Sequence, residues 1–314
     1  MDKNEWHQLL CTDREAFIAA RVEHRANSEA RIVLTGMRFN QVDLSGMDLS
    51  LMDFSQSEFF GCDMRGTDLS DCLLRMSRFR SCDFRKANLH VSNMAKGEAI
   101  NCNFTGANLS NTSLLLEKLY NSCFDETTLD GADFSAVEAE HVSFKKAQAQ
   151  RAFWTKADLR NCDFSEARLP NNYFRLAALS GAEMSGIDMS KCDLTYAVLH
   201  GTNLSNTNLS ECDLSDAFLQ ETNMRGANLT RAKLDNIDLE AVDMEGAITT
   251  GVITGEVITR EMREYHENVK AEAMQIQKKR ELEADPVDES VMEDGSLHQF
   301  AGGIHHNSDN GQTE

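Results

Sequence analysis

The side chains best suited to chemistry in this sequence are its nine cysteines, its surplus of carboxylates and a late histidine pair. Cys62, Cys82 and Cys102 recur at one interval, and Cys72, Cys162, Cys192 and Cys212 share their sequence setting. Such a series invites a soft-metal site or disulfides. Yet no Cys-x-x-Cys pair occurs, and no histidine falls at ligand spacing beside them. His305 and His306 lie in a polar stretch without further ligands. Carboxylates abound, but at regular intervals rather than as an isolated pair facing a cleft. There is no P-loop, no GxSxG elbow, no HExxH and no Gly-rich dinucleotide turn. The sequence therefore predicts no enzyme, and no metal or other cofactor.

What positions all these residues is a repeat. From Leu34 to Met244 every fifth residue is in one phase, giving 43 positions, of which 40 are Leu, Phe, Met or Trp. The exceptions are Ala99, Ala139 and Ala149, and no insertion shifts the frame. Two residues before each large one a small one is usual, as at Cys62, Thr67, Cys72, Ser77, Cys82 and Ala87. On an α-helix five residues advance about 140° past a full turn, which scatters the large side chains around the axis. On a flat strand every second one would face water. All can face one interior only if the chain turns a corner about every five residues, which makes a solenoid.

Stretches such as Ala107-Asn108-Leu109, Ala157-Asp158-Leu159 and Ala227-Asn228-Leu229 resemble the pentapeptide-repeat family. The resemblance implies a right-handed quadrilateral β-helix, four pentapeptides per coil, with the small and large residues both turned inward. A 20-residue coil would stack Phe84, Phe104, Phe124, Phe144 and Phe164 in one ladder, and Phe134, Trp154 and Phe174 in another. The expected fold is thus an all-β solenoid of about 11 coils with short α-helical additions at both ends. The seven cysteines named above take the small inward position, where a free thiol packs as a compact hydrophobe.

Four segments follow. Residues 1–31 are predicted as a helical cap, with Thr12-Asp13-Arg14-Glu15 as a capping box and Trp6, Leu9 and Leu10 as a preceding turn. Residues 32–249 form the β-helix. Residues 250–284 read as an amphipathic helix, with Ile258, Met262, Tyr265 and Val269 near one stripe. That helix would seal the last coil or pair with a second copy as a homodimer. Residues 285–314, acidic and polar, are expected to be disordered. No run approaches the roughly 18 apolar residues of a membrane span. The early acids and free thiols lead to an expectation of a cytoplasmic protein.

Charge narrows the partners. The formal net charge is −20, divided as −1 over residues 1–31, −11 over 32–247 and −8 beyond. Direct nucleic-acid binding is disfavoured, since phosphate repels such a surface. A protein partner is expected instead, and the leading reading is a non-enzymatic interaction scaffold. Outward positions carry Leu115, Tyr120, Phe153 and Tyr173, which are the candidate contact residues. The alternative comes from the resemblance, because some family members mimic DNA and bind DNA gyrase or topoisomerase IV, conferring quinolone resistance. Asp43, Asp63 and Asp83, with Asp48 and Asp68 on a neighbouring edge, would be the mimicking acids. Duplex DNA as long as the repeat, roughly 50 Å, carries about 30 charges, well above the repeat's −11. The basic groups Arg65 to Lys86 and Lys145 to Arg160 interrupt the acidity further.

Overall fold

The computed structural model describes residues 1–239 and 242–255. Ile258, Met262, Tyr265 and Val269, and the predicted tail at 285–314, lie outside the described residues.

Two helices open the chain, α1 (Lys3–Thr12) and α2 (Arg14–Asn27). The capping box is not where the sequence reading put it. Asp2 caps α1, accepting from the amides of Asn4 and Glu5, while the Glu5 side chain returns to the Asp2 amide. Trp6, Leu9 and Leu10 therefore sit within a helix rather than a loose turn. Asp13, not Thr12, caps α2 through the Ala16 amide. Trp6, Leu10 and Phe17 are buried in the same apolar cluster as Leu34 and Phe39, and the His7 ring lies 4.9 Å from that of Phe39.

From Val33 to Ile253 the described residues form a right-handed quadrilateral β-helix. Strands β1 (Arg38–Asn40), β2 (Glu58–Phe60), β3 (Arg78–Arg80) and β4 (Glu98–Ile100) form a parallel sheet in sequence order, with residues 20 apart in register. Single parallel bridges hold the same register elsewhere, from Val33↔Asp53 to Lys233↔Ile253. The ladder therefore runs a few residues past the expected end at 249. It also holds through 94–155, where the pattern weakens.

Backbone pairing explains why five residues suffice for a side. The large residue's amide donates to the coil above, as Phe104 does to Cys123 at 2.7 Å. The residue before it donates to the coil below, as Asn103 does to Cys82 at 3.1 Å. The corner closes with a turn bond such as Ala87 to Phe84, 2.9 Å. Each corner holds one residue in the left-handed region, Gly106 at φ 70° and Lys86 at φ 61° for example. Asp or Asn before the large residue braces the corner, its Oδ1 accepting the amide two residues on, as in Asp43–Ser45 and Asn108–Ser110. The interior is an aromatic stack, with Phe84, Phe104 and Phe124 at successive centroid separations of 4.5 Å and Phe134–Trp154 at 4.3 Å.

Candidate interaction surface

The repeat turns the residue before each large one outward, where it is usually Asp, Asn, Ser or Glu. Phe153 and Tyr173 hold that position in adjacent coils and remain 43% and 39% exposed. Their rings stack at 5.0 Å, tilted by only 11°. Leu115 and Tyr120 do not join them. Leu115 sits on a corner two coils earlier, half-buried beside an exposed Leu116. Tyr120 lies past the next face and donates its hydroxyl to Glu138, and burial with that carboxylate pushes its pKa up.

Other outward residues meet where the sequence reading did not look. On the face that follows Phe153 and Tyr173, Ala178, Val198 and Phe218 make consecutive bridges. Val198 is only 6% exposed despite its outward register. Tyr196 stands on the corner between the two faces, with the Arg175 guanidinium 5.5 Å from its ring centroid. The signal was available, because positions 178, 198 and 218 share one outward column.

The five candidate acids form the expected columns, Asp43↔Asp63↔Asp83 and Asp48↔Asp68. Three are already engaged by arginine. Asp63 takes a bidentate hold from Arg65, with Nη2 at 2.5 Å, and these bonds draw its pKa down. Asp83 is held likewise by Arg85 at 2.6 Å. Asp48 receives Arg21 at 3.1 Å and Arg25 at 2.5 Å from α2. Asp68 accepts from the Ser70 amide and from Asn88. Bonds from Ser45 lower the pKa of Asp43.

The seven thiols in the small inward position are buried, whereas Cys11 and Cys123 are half-buried. Cys72 donates to the Leu49 carbonyl at 3.0 Å, as Thr67 and Ser77 donate to Leu44 and Phe54 at 2.8 Å. Burial pushes Cys72 up to about 12, so it stays a neutral donor. All nine cysteines are free, and no metal-binding cluster of His, Cys, Asp or Glu occurs among the described residues.

Two larger polar residues take the small inward position, and the sequence reading missed both. Asn172 is fully buried. Its Oδ1 accepts the Ala152 amide at 2.9 Å and Trp154 Nε1 at 3.3 Å, while Nδ2 donates to the Ala149 carbonyl at 2.8 Å. Ser122 does the same between the Cys102 amide and the Ala99 carbonyl. Glu117 accepts the Gly97 amide on Oε2 at 2.7 Å, but its buried Oε1 has no partner. Desolvation raises its pKa well above the ordinary carboxylate value and so favours the protonated form. Gly97, directly below, makes the space, since a Cβ there would lie 3.1 Å from both carboxylate oxygens.

Two protein-family models match the repeat in its frame. The family model for the pentapeptide repeat region matches residues 32–98, and that for pentapeptide repeats matches 100–135, 140–171, 173–210 and 207–246. No curated protein sequence matches the chain. Among solved structures, HetL, a pentapeptide repeat protein involved in heterocyst differentiation regulation in the cyanobacterium Nostoc sp. strain PCC 7120, is 22% identical. The match covers 74% of this chain and 93% of HetL, with a TM-score of 0.27. A trypsin-treated form of QnrB1, a plasmid-mediated fluoroquinolone resistance protein, is 20% identical over 75% of this chain and 95% of its own, with a TM-score of 0.32. A pentapeptide repeat protein of the Arabidopsis thaliana thylakoid lumen is 27% identical over 36% of this chain and 75% of its own, with a TM-score of 0.26. The family models cover more than half of the sequence in the frame set by Leu34, and the chain belongs to the pentapeptide-repeat family.

Proposed function

We propose that this chain is a non-enzymatic interaction scaffold that binds another protein through the outer faces of its β-helix. The observation that carries this reading is the solvent-exposed ring stack of Phe153 on Tyr173. Folding gains little from an outward aromatic pair, whereas aromatic side chains in partly dry surroundings dominate protein interfaces. The nine free thiols fit a reducing, cytoplasmic setting. The test is capture of a specific partner by the purified chain and by Phe153→Ala with Tyr173→Ala. Loss of that partner on the double change supports the scaffold; undiminished capture removes this surface from it.

A second reading takes the acid columns as a DNA-like edge that binds a type II topoisomerase. The Asp43–Asp63–Asp83 register favours it. The arginines on Asp48, Asp63 and Asp83 weaken it, because a neutralised carboxylate no longer stands in for phosphate. A gyrase supercoiling assay with and without a quinolone separates the two. If micromolar protein neither inhibits the enzyme nor protects it, the second reading is excluded. Homodimer formation through the stretch from Ile258 to Val269 is a further proposal, resting on the sequence alone.

A further inference from the structure

Four outward aromatic residues, Phe153, Tyr173, Tyr196 and Phe218, gather on two adjoining faces and the corner between them. Two arginines stand beside them. Arg151 stands exposed on the corner preceding Phe153, and Arg175 on the corner following Tyr173. Neither forms an ion pair among the described residues; the contact shown for Arg175 is the one to the Tyr196 ring. This sets them apart from other cations of the same region. Arg160 lies between Asp158 at 2.7 Å and Glu140 at 3.1 Å, and Lys145 meets Asp163 at 3.0 Å.

The acids that bracket the ring stack are turned to their own corners. Asp133, one coil before Phe153, accepts the Ser135 amide at 2.9 Å. Asp193, one coil after Tyr173, accepts the Thr195 amide at 3.0 Å and the Thr195 hydroxyl at 2.6 Å. The edge thus presents apolar rings flanked by two guanidinium groups that no described carboxylate pairs, on a chain whose net charge is −20. Overall charge would draw a basic partner, whereas this edge complements an acidic one.

We infer that the Phe153–Tyr173 and Tyr196–Phe218 edge is a docking site for an acidic peptide segment with apolar side chains between its carboxylates. The rings would take the apolar side chains. Arg151 and Arg175 would each pair with a carboxylate as bidentate forks. Arg175 would keep its place over Tyr196, strengthened as water leaves. This deepens the scaffold reading and rests on it.

The experiment uses the full chain and two labelled peptides, one alternating glutamate with leucine and one alternating lysine with leucine, in anisotropy titrations at low and high salt. The glutamate peptide is expected to bind at least about tenfold more tightly than the lysine peptide. A loss of about tenfold or more is expected from Arg151→Gln with Arg175→Gln, and again from Phe153→Ser with Tyr173→Ser. Unchanged melting curves would show that these surface variants fold. Tighter binding of the lysine peptide, no binding of the glutamate peptide, or affinities indifferent to both variants overturns the inference. So does an oligodeoxythymidine that binds more tightly at the same residues, which would make the edge a nucleic-acid site. If the captured partner is lost on Phe153→Ala with Tyr173→Ala while the glutamate peptide fails to bind, the scaffold stands and the acidic partner falls.

Discussion

The repeat is broken in two opposite senses. At position 117 an acid enters an interior meant for small residues, and at 153 and 173 rings leave for a surface meant for polar ones. The two departures differ in what holds them. Glu117 is held in place by the space above Gly97 and by a hydrogen bond from the Gly97 amide, with burial favouring its protonated form. Phe153 and Tyr173 have each other, and solvent over much of their area. An interior exception is a matter of stability, because desolvation penalises every unmet bond. An exterior one leaves stability nearly untouched and is free to serve recognition. Asn172 is the instructive intermediate: equally buried, but with both ends of its amide satisfied.

The largest effect should come from the proton on Glu117. Its native pKa is raised, so native and unfolded forms are equally protonated below the unfolded value of about 4.3. Above that pH the unfolded chain releases a proton that the native chain keeps. Stability must therefore fall as pH rises toward the native pKa, at up to about 1.4 kcal/mol per pH unit for one proton. The aspartates drawn down by their partners, Asp43, Asp48 and Asp63 among them, contribute stability that is lost only as pH drops below about 4, so the window above pH 5 is clear of them. Urea denaturation from pH 5 to 8 should show the decline in the native chain and a flat profile in Glu117→Gln. A flat native profile would mean that Glu117 is ionised and paired.

Next is Gly97→Ala. A Cβ at this position would lie 2.3 Å from the Ser77 carbonyl oxygen, which is backbone and cannot swing aside. A loss of about 3 kcal/mol, at the upper end for overpacking, is expected in chemical denaturation. Asn172→Ala should follow at about 2 kcal/mol, since it strands the Ala152 amide and the Trp154 indole. Asn172→Ser should recover part of that loss, because Ser122 performs the same bridge with a hydroxyl. If alanine cost no more than serine, hydrogen bonding would not be the reason for Asn172.

These examples mark what the sequence makes legible. The period from Leu34 to Met244 yields the coil length, the inward columns and the aromatic ladders, because one backbone geometry repeats and like residues stack. Burial of the seven cysteines follows from their place in the frame. Their role as carbonyl donors does not, since it depends on a bond between coils, such as Cys72 to Leu49. Glu117 and Asn172 were visible as large polar residues in a small column, and Gly97 stood 20 residues below Glu117. The period drew attention to the large positions instead. The helical cap is legible in kind but shifted, because Asp2 caps a separate first helix and Asp13, the neighbour of Thr12, caps the second. The alignment of the acids in columns is legible from the period. Which of them are neutralised depends on arginines two residues on, or on α2, and spacing alone does not orient a long side chain. The same holds at the surface: the repeat predicts that Phe153 and Tyr173 align, but not that Arg175 reaches round the corner to Tyr196.

The smallest stability effect belongs to the exterior departure. Phe153→Ala and Tyr173→Ala should each cost under about 1 kcal/mol in denaturant, although a buried ring in the same coils would cost about 3–5 kcal/mol. Phe164→Ala, fully buried in the ladder with Phe144 at 4.9 Å, supplies that reference. The contrast arises because water already reaches the outer rings, so truncation opens no cavity and removes only a cross-strand stack. A surface loss approaching the Phe164 value would mean that the outer pair closes over the coil as part of the core, and its availability to a partner would then have to be abandoned. Near-neutral stability combined with lost binding would instead separate the two roles, placing folding in the inward columns and recognition on the outer edge.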